Sequence, residues 1–146
     1  MLGVSFVERY EHVKGVGLLE QARALAMESG DRAVLGTVCS SLGGFHRWQG
    51  EYDKAIEEHE QARAIAVELG HRKSEGIACH NLGLSYRALK QYDKAIELLE
   101  QSLAIKEELG DKMGQATTRS NLGVCLSRHG QHDRAVACLK RALAFC

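Results

Sequence analysis

Proline does not occur anywhere in the 146 residues. Without the residue that most reliably interrupts a helix, any breaks fall to glycine and polar caps. Aromatic residues are scarce at 5%, with one tryptophan, which leaves aliphatic side chains and alanine to build a core. Net charge is also lacking, because Lys+Arg and Asp+Glu both total 19. With no long-range field and no basic stripe, nucleic acid is not an expected partner, nor is an anionic membrane surface. No run of about 18 apolar residues exists, so membrane insertion is not expected. The opening stretch from Met1 to Glu8 has no basic segment followed by a long apolar one and does not read as a signal peptide. Five cysteines make an odd count without a Cys-x-x-Cys pair. Cys39, Cys79, Cys125 and Cys138 fall in apolar helical stretches, where a free thiol acts as a small hydrophobe. A reducing, cytoplasmic setting is therefore expected.

Catalytic signals are missing too. There is no nucleophile motif, no phosphate-cradling glycine loop and no pairing of acids beyond ordinary helix surface, so an enzyme is not expected. Among seven histidines, His129 and His132 straddle a turn and His46 lies near Trp48. None of them shows the i, i+4 spacing with a matching acid that a helical zinc site needs, so neither metal nor cofactor is expected.

What is present is a balanced composition, 45% apolar and 26% charged, rich in good helix formers. A shift of forty residues lays the chain on itself. Leu42-Gly43 becomes Leu82-Gly83 and Leu122-Gly123, with Leu2-Gly3 one period earlier. Tyr52-Asp53-Lys54-Ala55-Ile56 becomes Tyr92-Asp93-Lys94-Ala95-Ile96, then His132-Asp133-Arg134-Ala135-Val136. A period in this range means stacked supersecondary units. The expected divisions are a partial repeat at 1–30 and repeats at 31–70, 71–110 and 111–146, and the whole is expected to be an excerpt of a longer protein.

Gly30, Gly70 and Gly110 each close a helix, and Asp31 and Asp111 supply the caps that open the next. His71 is a poorer cap at the matching place. Gly50 and Gly130 make the second break of their repeats, and Lys90 in the same place implies a strained turn. Helical segments are expected at roughly 1–9, 12–29, 32–49, 52–69, 72–89, 92–109, 112–129 and 132–145. Gly43, Gly83 and Gly123 fall mid-helix, where glycine costs about 1 kcal/mol against alanine. Close approach of Ala55, Ala95 and Ala135 on the partner helices is the expected compensation, and no pair can bury its apolar face without a neighbour.

Leu82-Gly83, Tyr86, Tyr92, Ala95 and Ser102 together resemble the tetratricopeptide signature. The longer period, ending in Glu-Leu-Gly-Asp, is similar to the long repeats of the partner-of-inscuteable group of cell-polarity scaffolds and more distantly to kinesin light chains. The resemblance implies an all-α fold, an α-solenoid of antiparallel helix pairs in a right-handed superhelix. It also implies a concave groove lined by the first helix of each pair, in which family members bind an extended peptide.

Projected on the helical period, the inward side chains are Thr37, Ser40, Gly44, Arg47 and Trp48, then Lys73, Ile77, His80, Leu84 and Arg87, then Thr117, Ser120, Val124 and Arg128. Arg47, Arg87 and Arg128 form a ladder suited to carboxylates, which points to an acidic peptide or a C-terminal carboxylate. They read equally as solvated ends of amphipathic helices. Trp48 offers an apolar anchor, or else is partly buried structure. Where the polarity scaffolds carry a peptide-clamping Asn after the Leu-Gly pair, this chain has Gly44, Leu84 and Val124, while Asn81 and Asn121 precede the pair. Two functions follow: a protein or peptide ligand held in the groove, or a structural spacer acting through its ends. The apolar ends imply a homodimer of the isolated piece through its terminal helices.

Overall fold

The structure, a computed structural model, describes residues 6–145. Leu2-Gly3, the earliest match to the repeat, lies outside them, as does Cys146. Seven helices follow one another: α1 (Phe6–Ser29), α2 (Arg32–Trp48), α3 (Tyr52–Leu69), α4 (Arg72–Ala88), α5 (Tyr92–Glu108), α6 (Lys112–Arg128) and α7 (His132–Phe145). No strand occurs among the described residues.

The punctuation works as the residue types dictate. Asp31 accepts the Val34 N–H at 3.1 Å and Asp111 the Gly114 N–H at 2.9 Å, so both caps satisfy an otherwise free donor. His71 makes no side-chain cap bond. Lys90 takes φ +61°, the left-handed conformation that glycine holds at Gly50 and Gly130. Gln91 N donating to Tyr86 O at 2.9 Å closes that turn, and the packed helices on either side impose it.

One expected break is absent. The repeat places a turn at Tyr10, between segments 1–9 and 12–29, yet α1 runs unbroken for 24 residues. Tyr10 stands where the other repeats have glycine or lysine, and a bulky ring in the left-handed region costs about 1–2 kcal/mol. Helix α1 packs chiefly on α2 and meets α3 through Arg23 and Glu58, well beyond Tyr10 along the helix.

Helices α2 and α3, α4 and α5, and α6 and α7 form the closest pairs, and α1–α2, α3–α4 and α5–α6 contacts join them in a row. The mid-helix glycines sit at the crossings. A Cβ on Gly83 would lie 2.7 Å from Leu99 Cγ and 3.3 Å from the Ala95 carbonyl, and one on Gly123 would lie 2.8 Å from Leu139 Cγ. Ala55, Ala95 and Ala135 are buried opposite. The cost of glycine is therefore met by backbone approach, as at close-packed helix crossings generally. One apolar cluster joins α5, α6 and α7 through Ile96, Leu99, Leu122, Leu126 and Ala135, and another joins α1, α2 and α3 through Ala26, Leu35, Cys39 and Ile65.

Candidate functional site

Helix α2 also approaches α4 backbone to backbone, and α4 approaches α6, whereas the odd-numbered helices reach one another only through side chains, Arg23 with Glu58, Arg63 with Gln101 and Arg134 with Glu100. The even helices thus line the inner face of the row. Forty-residue columns run across that face: Thr37, Ile77, Thr117; Ser40, His80, Ser120; Gly44, Leu84, Val124; and Arg47, Arg87, Ser127. Arg128 is one place out of the column, forty residues after Ala88 rather than Arg87. Ile77, Lys73, Thr117, Ser120, Val124 and Arg128 are exposed, while Ser40, Arg47, His80, Leu84 and Arg87 are half-buried.

A polar network ties α4, α5 and α6 together at this face. Arg87 donates to Asn121 Oδ1 at 3.1 Å, and Asn121 Nδ2 lies 3.4 Å from His80 Nε2. His80 Nδ1 lies 3.2 Å from Thr118 Oγ1 and 3.3 Å from Lys106 Nζ, and Thr118 Oγ1 accepts from Lys106 Nζ at 2.6 Å. Burial pushes the His80 pKa down to about 4, helped by the charges of Lys106, Arg47 and Arg87, so the ring is neutral here. Burial also lowers the Lys106 pKa. Lys106, Thr118 and Asn121 escape a reading of the groove from its projected face. Asn121 reads as packing, and Lys106 belongs to an outer helix.

Arg87 and Arg128 do meet. With Ala88, Lys90, Tyr92 and Val124 they line a cleft of about 380 Å³ between the α4–α5 turn and α6. No acidic residue lines it. Lys90 and Arg128 form no ion pair among the described residues, and Arg87 bonds only the neutral Asn121. Ala88 leaves the space that Trp48 would fill one repeat earlier. Arg47 does not reach this cleft, but it is close enough to help hold both His80 and His59 neutral.

Trp48 is covered on one side. Its ring stacks on His12 of α1 with centroids 4.0 Å apart and planes 6° from parallel, beside Phe45. Thr37, Ser40 and Ile77 line a second cleft, of about 280 Å³, among α2, α3 and α4. Lys73 stands at its edge, next to Ser74, and Leu84 and Ser120 line neither cleft. Among the described residues there is no cluster of three or more His, Cys, Asp or Glu side chains positioned for a metal, and no helix is long and apolar enough to cross a membrane.

The stacked antiparallel helix pairs, with glycine–alanine crossings and a grooved inner face, define an α-solenoid of repeat units. The tetratricopeptide repeat profile matches residues 34–108 and 75–146, and the chain belongs to that family. Its fold is similar to that of BtubC (BKLC) from P. vanneervenii, at 22% identity and a TM-score of 0.88 over 96% of this chain and 58% of that one. The chain thus spans little more than half the length of that structure. A putative kinesin light chain from Podosopora anserina with nearly identical TPR-like repeats matches at 23% identity and a TM-score of 0.75, covering 96% and 69% of the two chains. The TPR domain of Arabidopsis FLU matches at 22% and 0.72, covering 75% and 92%. These identities carry the fold alone. No match was found among curated proteins.

Proposed function

We propose that this chain is a protein-interaction scaffold whose inner face holds an extended acidic segment, or a C-terminal carboxylate, of a partner protein. The supporting observation is the convergence of Arg87, Lys90 and Arg128 on one cleft with no acid in its lining. Cations at helix C-termini offset the helix dipole, which accounts for single charges on α4 and α6. It does not account for three that share a cleft and have no anionic partner. Guanidinium groups pair with carboxylates through two parallel bonds, and a partly enclosed site strengthens such pairs over surface ones.

The test uses fluorescent Gly-Ser peptides ending in two glutamates, with a free or an amidated C-terminus, and an uncharged control. Binding should favour the acidic peptides, weaken as salt rises, and fall about tenfold or more on Arg87→Glu with Arg128→Glu. Arg134→Glu, on the outer helix α7, should leave it unchanged. Equal binding of acidic and uncharged peptides would refute the reading.

A second reading, self-association, is supported by α7. Val136, Leu139 and Leu143 are exposed, whereas Ile96, Leu99 and Leu103 at the same places on α5 pack against the next repeat. A reducing compartment belongs to either reading, because Cys39, Cys79 and Cys125 are buried free thiols. Alkylation of freshly extracted protein should find them unpaired, and a disulfide among them would refute it.

A further inference from the structure

The inner face is not the same from one repeat to the next. Between α4, α5 and α6 the space is filled by His80, Lys106 and Thr118, bonded to one another. Forty residues earlier the same three places hold Ser40, Ala66 and Ala78. Three large or polar side chains are thus replaced by small ones contributed by three different helices. The result is the cleft of about 280 Å³ among α2, α3 and α4. Ile65, Ala66 and Ala78 form its apolar floor, and Ile77, a branched aliphatic 43% exposed, stands at its mouth.

The rest of the lining is largely polar, with Thr37, His71 and three serines. The hydroxyls of Ser40, Ser41 and Ser74 make no hydrogen bond among the described residues, so each can bond the backbone of a chain laid across the mouth. No acid lines the cleft. Lys73, beside Ser74, forms no ion pair, and the guanidinium of Arg47, two helical turns beyond Ser40, forms neither an ion pair nor a hydrogen bond. The acids next to the lining, Glu68 and Glu75, are each paired with an arginine, Arg32 and Arg72. The charges left unpaired near this apolar hollow are therefore the cations Lys73 and Arg47, which complement an acidic chain and oppose a basic one.

We propose that this cleft is an anchor subsite, which takes one leucine-sized apolar side chain of an extended acidic peptide while Arg47 holds a carboxylate of the same peptide. The inference rests on the acidic-partner reading above and adds a position-specific apolar requirement to it. Seven residues separate Ser40 from Arg47, about 10 Å along a helix. An extended peptide covers that distance in about three residues, so the anchor and the acid stand about three residues apart.

The test takes labelled ten-residue peptides on a Gly-Ser frame, each with one Asp and with Leu or Ala three residues before or after it. Burial of the side chain should make one Leu peptide bind about tenfold tighter than its Ala counterpart. The triple substitution Ser40→His, Ala66→Lys, Ala78→Thr rebuilds the filling that the next repeat already accommodates. It should abolish the preference for Leu and keep the preference for acidic over uncharged peptides. Ala66→Leu, which fills the floor without adding charge, should act alike and guards against misfolding of the triple variant. N-acetyl-leucine amide should shift the methyl resonances of Ile65 and Ile77 in the native protein and not in Ala66→Leu.

Equal binding of Leu and Ala peptides, with acidic peptides still preferred, would overturn the anchor and spare the acidic reading. The same holds if Ala66→Leu keeps the preference for Leu. Methyl shifts without any preference for acidic peptides would overturn the proposal through the reading on which it rests.

Discussion

His59 carries the largest residue-scale conflict in the molecule. It is 1% exposed, and neither ring nitrogen has a hydrogen-bond partner. The ring lies against Gly43, where Leu99 lies against Gly83 and Leu139 against Gly123. A leucine fits this site in two other repeats, so His59→Leu should stabilise the fold by about 2 kcal/mol, chiefly by removing two unsatisfied polar atoms. A lower midpoint in urea would refute this. Burial also sets the pH response, holding the His59 pKa at about 4 against 6.5, with Arg47 lowering it further and Glu58 opposing. The unfolded chain therefore binds the proton more readily. The stability that neutral His59 contributes is complete above pH 6.5 and is lost as pH falls toward 4. The slope approaches about 1.4 kcal/mol per pH unit. His80, also held near 4, acts in the same direction. Urea midpoints measured from pH 7 to pH 4 should fall less steeply in His59→Leu. The glycines give a contrast in sign. Gly15→Ala meets nothing within 4 Å and should gain about 1 kcal/mol of helix propensity. Gly83→Ala gains the same but forces a Cβ to 2.7 Å from Leu99 Cγ, and overpacking of about 1–3 kcal/mol wins. The two thermal midpoints should move in opposite directions.

At the scale of elements, the turn at Lys90 shows how packing overrules local preference. The left-handed conformation costs a residue with a side chain about 1 kcal/mol or more, and Gly50 and Gly130 avoid that cost. Lys90→Gly should raise the thermal midpoint while removing one cation from the cleft beside Arg87 and Arg128, so stability rises as acidic-peptide binding falls. If the two change together, Lys90 is either unstrained or outside the site. The places of helices were legible in the sequence because glycine followed by a capping aspartate carries the conformational instruction itself. The continuity of α1 was not, since the period demands a break at Tyr10 and only the residue's bulk argues against one. The inner face was legible in part. Ile77, Arg87, Val124 and Arg128 project onto it from helical period alone, and Arg87 and Arg128 share a cleft. The hollow under Ile77 was not legible, because it consists of what Ser40, Ala66 and Ala78 lack. Small residues on three helices read singly as packing, and only the comparison with His80, Lys106 and Thr118 turns them into a space.

For the whole molecule, a solenoid is a row of interfaces, and its stability is the sum of units and the contacts between neighbours. Helix α5 shows what a fully used outer helix looks like, with Ile96 and Leu103 pressed on α6. Helix α7 presents Val136 at 49% exposure and Leu143 at 71% on the corresponding face. Exposed apolar side chains in helical register form a patch that water disfavours, and an identical surface on a second copy can cover it about a twofold axis. The exposed ion pairs, Arg32 with Glu68 and Arg72 with Glu108 within repeats and Arg134 with Glu100 between them, add little, since exposed pairs contribute about 0–1 kcal/mol. Association of this chain should therefore follow the apolar face and respond weakly to salt. Val136→Glu with Leu143→Glu changes only exposed positions and should leave the thermal midpoint nearly unmoved. In sedimentation velocity the native chain should drift to larger coefficients as its concentration rises, and the double variant should stay monomeric. A native chain that is monomeric at the highest concentration would refute self-association through α7. An association that falls steeply with salt would move the contact from this apolar face to the charged ones.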